Sequence, residues 1–171
     1  MRKILLSLIL LLAVFSNVSA QKFALVDMEY IMKNVPAYES ANEQLNQVSQ
    51  RWQKEVEALT LEAQTMYKNY QTELVFMSPD MKTKRENEIV EKEKAGQDLK
   101  RKYFASDGEL FKKRESLMKP IQDEIYTAIK SISDEKGYQL ILDKASGMNI
   151  IYVSPKIDIS DDVLLKLGYS K

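Results

Sequence analysis

The side chains of this chain best suited to chemistry are those that bind by apolar contact. Leu74-Val75-Phe76-Met77 is followed closely by Met81, while Tyr67 and Phe104 stand off the regular apolar pattern around them. Flexible methionine and amphipathic tyrosine suit a surface that accepts varied apolar partners. Tyr67, Val75, Phe76, Met77, Met81 and Phe104 are therefore the candidate contact residues. Catalytic arrangements are lacking. The chain has neither histidine nor cysteine, which removes the commonest general base, the thiols and the usual metal ligands. No Gly-x-Ser-x-Gly, glycine-rich phosphate loop or metal-ligand spacing occurs. Carboxylates are plentiful, but on long helices they are ordinary solvated surface. No enzyme activity, metal or cofactor is expected.

The elements that must position these residues follow from composition and spacing. Lys and Arg total 25, as do Asp and Glu, so no strong global field favours nucleic acid. Arg2 and Lys3 precede an apolar run, Ile4 to Phe15, too short to span a bilayer, and Val18-Ser19-Ala20 offers small residues for cleavage. Residues 1–20 read as a secretory signal peptide cut before Gln21; an uncleaved anchor is the competing reading. The remaining chain, about 151 residues, suits one domain.

From Ala37 to Lys136 the chain reads as helix, interrupted once at Met77-Ser78-Pro79-Asp80. The first long helix carries an apolar stripe: Ala41, Leu45, Val48, Trp52, Val56, Leu59, Ala63, Met66, Tyr70, Leu74 and Met77. Its mean spacing matches the 3.6-residue pitch of a straight α-helix. Ser78 can cap the next helix, Pro79 suits its first position and Asp80 complements its N-terminus. That helix is expected to run to Lys136, softened at Gly96 and Gly108 and kinked at Pro120. Pro36 and Pro120 lie equally far from the turn and mark the base of a protruding arm about 60 Å long. Pro36, Ser78, Pro79 and Pro120 are thus the hinge and kink positions. Below the arm, Ile121, Ile125, Ala128, Ile129 and Ile132 form a dense apolar face.

Short strands flank this helical stretch. Lys22 to Asp27, Tyr138 to Asp143 and Asn149 to Val153 read as strands, the last two as a hairpin around Ser146-Gly147. Gly137 stops the long helix, and Ser160 caps a last short one in which Val163, Leu164 and Leu167 face inward. The fold class is α+β, mostly α: a small β-rich body and a long antiparallel helical hairpin. The body spans 21–36 and 121–171, and the hairpin 37–120. So small a sheet is marginal alone and leaves open edges, so self-association is expected. Its candidate interface residues are Phe23, Leu25, Ile141, Ile150 and Tyr152. The bland alternative is a monomer whose lower helix covers everything. The two arms also carry opposite charge bias, acidic from Glu39 to Glu62 and basic from Lys82 to Lys102, which holds register modestly if the faces pair.

KFALVDMEYIMKNVP after the signal segment, two long charged helices, then AIKSISDEKGYQLILDK and DISDDVLLKLG, resemble the Skp/OmpH family of periplasmic chaperones. The resemblance covers nearly all of the mature chain, though the helical middle is generic. It implies a jellyfish-shaped homotrimer, with a β-rich trimerisation body and three helical tentacles around a cavity. It implies an ATP-independent holdase for unfolded outer-membrane β-barrel proteins. Well-known members are strongly basic, whereas this chain has a pI near 6.4. Lys82, Lys84, Arg85, Lys92 and Lys94 are interleaved with acids, so binding of anionic lipid or lipopolysaccharide is not carried over. The alternative function is a structural coiled-coil spacer or scaffold of the cell envelope; a regulatory adaptor for one folded partner is a third.

Overall fold

The computed structural model describes residues 22–147 and 150–169. The expected signal segment and the start of the expected third strand, Asn149, lie outside the described residues. The fold is α+β and mostly helical. In order come β1 (Lys22–Val26), α1 (Met28–Lys33), α2 (Pro36–Glu73), a 3-10 turn (Leu74–Phe76), α3 (Pro79–Phe104), α4 (Glu109–Lys136), β2 (Tyr138–Asp143) and α5 (Ser160–Lys166). No helix among the described residues is long and apolar enough to cross a membrane. The chain divides into two compact units: Met32–Glu124, and the described residues on either side of it.

The first unit described is the helical hairpin within Met32–Glu124. Pro36 opens α2 at its first position, where a missing N–H costs nothing, and Val35 before it is extended. Every residue of the apolar stripe is buried or half-buried. α2 packs against α3, and partners across the pair straddle Ser78 almost symmetrically. Glu73 faces Arg85 at 3.9 Å, Glu62 faces Lys92 at 2.9 Å, and Trp52 stacks on Tyr103 with ring centroids 4.5 Å apart. The opposite charge bias of the arms does yield ion pairs, but they are exposed and contribute a few tenths of a kcal/mol each. Gly96 is buried, with Leu59 beside it.

The expected single helix from Pro79 to Lys136 is instead two. It breaks at 105–108: Ala105 turns extended, Gly108 N–H bonds to Ala105 C=O at 2.9 Å, and the Gly108 carbonyl accepts from Lys112 N–H. Gly108 is required by close approach. A β-carbon there would sit 2.9 Å from the Tyr103 carbonyl oxygen and 3.0 Å from Ala105 backbone atoms. α4, by contrast, continues through Pro120, so the helix is interrupted at the glycine and not at the proline.

In the other unit, β1 and β2 pair in parallel, with Phe23 opposite Leu140 and Leu25 opposite Leu142. Ala24, Leu25 and Val26 are all buried, as a strand covered on both faces requires. Among the described residues the expected hairpin and third strand do not form: 150–153 have no ladder. Their β-branched and aromatic side chains favour a strand only where they pack against neighbours, and Ile151 and Tyr152 lie exposed. The second neighbour of β1 is the segment at Asp158, bridged to Leu25, with Ile159 N–H donating to Leu25 C=O at 2.9 Å. Gly137 ends α4 with φ 73°, as a helix stop should. Ile125, Ala128 and Ile132 are buried, as are Val163 and Leu164 of α5.

Ser160 is not the expected side-chain cap of α5. Its hydroxyl accepts from Asp27 N–H at 2.8 Å and donates to Asp158 Oδ1 at 2.6 Å. Lys144 Nζ completes the knot, 2.8 Å from Asp158 and 3.4 Å from Asp27. Burial pushes the Asp158 carboxyl up, but Lys144 and the Ser160 hydroxyl and N–H outweigh it, so its pKa falls below the usual value. Hydrogen bonding to Asp158 raises that of Lys144.

Two predictions test this fold. Gly96→Ala adds a β-carbon at an ordinary 3.6 Å from Leu59 and should stabilise the helix by up to about 1 kcal/mol. Gly108→Ala forces backbone apart and should destabilise by about 1–3 kcal/mol; urea unfolding measures both. The second concerns pH. A depressed Asp158 contributes stability above its ordinary value of 3.8, and loses it as pH falls through the lower folded value. The stability gap between wild type and Asp158→Asn should therefore be full at neutral pH and shrink below about pH 4. Thermal melts across an acid series would show it; a gap independent of pH would contradict it.

Candidate functional site

The hairpin turn is built from residues whose backbone leaves little choice of direction. α2 ends at Glu73, and Leu74–Phe76 winds one tighter turn, closed by Met77 N–H to Leu74 C=O. Met77 and Ser78 are both extended, as expected for Ser78 directly before Pro79. Ser78 Oγ then accepts from Met81 N–H at 3.3 Å and starts α3. Leu74 and Met77 complete the buried stripe, so the residues between them turn outward. Val75 is 80% exposed and Phe76 86%, with Met81 at 55% just beyond the turn.

The remaining contact candidates separate by their partners. Tyr67 is half in water, at 50% exposure. Its on-stripe neighbour Tyr70 is buried and donates its hydroxyl to Glu86 Oε1, which raises the phenol pKa. Phe104 is only half exposed and lies edge-on to Tyr103, at 6.2 Å and 83°. Tyr103 is itself committed: it stacks on Trp52, and its hydroxyl donates to Glu55 Oε2 at 2.6 Å, which raises its pKa. Phe104 thus belongs largely to an internal aromatic cluster, and Met77 is half-buried in the stripe. Val75 and Phe76 lie in the turn itself and Met81 in the first turn of α3 beyond it; Tyr67 sits further down α2.

Three exposed apolar residues were not singled out from sequence. Leu61 lies off the stripe between Leu59 and Ala63, so the rule that selects Tyr67 would have found it. Val90 is exposed because its neighbour Ile89 takes the buried position. Phe111 borders an open groove of about 670 Å³ on α4, lined also by Met118, Lys112, Arg114, Glu115 and Lys119. These positions are spread along the hairpin surface and form no enclosed pocket with convergent polar groups. The arrangement suits dispersed apolar contact with an extended or disordered partner and offers no poised acid, base or nucleophile.

Among the interface candidates, Leu25 drops out. It is 6% exposed and already covered within its own chain. Phe23 and Tyr152 are exposed, while Ile141 and Ile150 are half-buried. Leu140, Ile151 and Leu165 add further exposed apolar surface to the same unit.

Comparison with known proteins agrees in sequence and in fold. The family of outer membrane proteins described as OmpH-like matches residues 22–167. The chaperone protein Skp of Yersinia enterocolitica is 28% identical over 160 residues, covering 92% of this chain and 93% of that protein. The crystal structure of an OmpH-like outer membrane chaperone from Caulobacter crescentus CB15 superposes with a TM-score of 0.70 at 13% identity, over 87% of this chain and 85% of that one. At that identity the likeness concerns fold alone, but the family match spans both units and most of the sequence. The chain belongs to the OmpH-like outer membrane protein family.

Proposed function

We propose that the chain is an ATP-independent holdase of the periplasm, exported by its cleavable N-terminal segment. It binds unfolded outer-membrane β-barrel proteins and keeps them from aggregating, without enzymatic chemistry or cofactor. The observation that carries this reading is the exposure of Val75, Phe76 and Met81 on a hairpin whose own apolar stripe is already covered. These side chains do nothing for the hairpin's own packing, and leaving apolar groups in water is unfavourable by about 25 cal/mol per Å². A surface kept this way suits transient apolar partners. The name of the Yersinia relative supports chaperone function.

The working form is a homotrimer of hairpins carried on a shared body. Phe23, Leu140, Ile151 and Tyr152 support self-association, since they are exposed beside a two-stranded sheet with an open edge. Several hairpins acting on one client gain from high effective concentration, so each contact can be weak. Acids interleave with the hairpin lysines, so attraction rests on apolar contact, and anionic lipid is not a required partner.

Light scattering after dilution of a denatured outer-membrane β-barrel protein tests the reading. The mature chain should suppress aggregation without nucleotide. The double variant Val75→Ser with Phe76→Ser should weaken suppression on the order of tenfold, with stability changed by no more than about 0.5 kcal/mol per site, as for exposed positions. No suppression at molar excess of the wild type would overturn the proposal. Solution mass should read three times that of one chain; a monomer would overturn the assembly.

A further inference from the structure

Met81 differs from the other methionines among the described residues. Met28, Met32, Met66, Met77 and Met118 are all at least half-buried, whereas Met81 is 55% exposed, the one exposed methionine among the described residues. It stands one helical turn past Ser78, five residues from the exposed Phe76 at the same hairpin end. Its backbone is fixed by the cap, with its N–H on Ser78 Oγ, so its side chain stays at the turn.

We propose that Met81 is an oxidation site that lowers client binding reversibly; this rests on the holdase reading. A two-electron peroxide oxidant donates one oxygen to the Met81 thioether sulfur. The peroxide O–O bond breaks, an S–O bond forms, the sulfur is oxidised to the sulfoxide, and the peroxide is reduced to water. The product is polar where the thioether was apolar. It places a strong acceptor at the hairpin end that exposes Val75 and Phe76, and a client burying that end would have to desolvate it. The fold itself should not suffer, because Met81 lies outside the buried stripe. The chain has no cysteine, so no thiol competes for the oxidant. A methionine sulfoxide reductase restores the thioether.

The test treats the mature chain with limiting hydrogen peroxide, maps oxygen uptake by peptide mass, and measures suppression of aggregation before and after. Met81 should take up oxygen ahead of the other described methionines. Oxidised protein should suppress aggregation on the order of threefold to tenfold less well, with an unchanged thermal melt. Reductase treatment should restore it, and Met81→Leu, whatever activity it starts from, should lose none of it on oxidation. Uptake spread evenly over the methionines would overturn the proposal, as would undiminished activity of the Met81-oxidised chain. If the untreated chain fails to suppress aggregation at all, the holdase reading fails and the inference with it, whereas full activity before and after oxidation overturns the inference alone.

Discussion

Two helices share one face. An antiparallel pair can cover one stripe on each partner, and any large apolar residue off that stripe remains in water unless a third element arrives. In this hairpin the stripe from Ala41 to Met77 is buried or half-buried throughout, and α2 packs on α3. The stripe has the full pitch of an α-helix, so it stays on one face along the whole of α2. The pairs Glu73–Arg85, Glu62–Lys92 and Trp52–Tyr103 hold one register measured from Ser78. The fate of Val75, Phe76, Met81 and Tyr67 is then settled by exclusion: the geometry that closes the hairpin is also what leaves them exposed.

The strand-bearing unit obeys a different constraint. Its sheet has two strands, and the edge of β1 away from β2 is held by the chain around Asp158 through one bridge and a polar knot of Asp27, Lys144, Asp158 and Ser160. Each charge in the knot has a partner, and the Asp27–Ser160 bond and the Lys144–Asp27 pair join segments more than a hundred residues apart. These bonds fix where α5 begins. Lys166 with Glu135 and Lys136 with Asp162 join α5 to the last turns of α4. The unit is thus small, tied by polar contacts at one end, and still carries exposed apolar residues such as Phe23 and Ile151.

Much of this was legible because it depends on local rules. The stripe follows from spacing, the turn from Ser78-Pro79-Asp80, the helix stop from Gly137, and the outward residues from their places off the stripe. What escaped depends on partners that sequence does not show. The break at 105–108 has no proline to announce it, and the need for Gly108 arises only from backbone close by in space. Residues 150–153 have the composition of a strand, yet β propensity is realised only by packing against neighbours, and Ile151 and Tyr152 lie exposed. Ser160 looked like a local cap, but its hydroxyl bonds Asp27, more than a hundred residues away. Leu25 looked free for a second copy because its pairing with Leu142 on one side and the Asp158 segment on the other is a tertiary fact. The family resemblance carried the fold where local reading ran out, and the match over residues 22–167 agrees with it.

The central claim is that the outward residues of the turn, and not the covered stripe, meet the unfolded partner. Site-specific photocrosslinking tests it most directly, with a photoreactive side chain placed at Phe76 and, for comparison, at the exposed polar Gln53. With an unfolded outer-membrane β-barrel protein present, crosslinks from position 76 should dominate and vanish once the client has folded. Equal yields from the two positions, or none from position 76, would contradict the account.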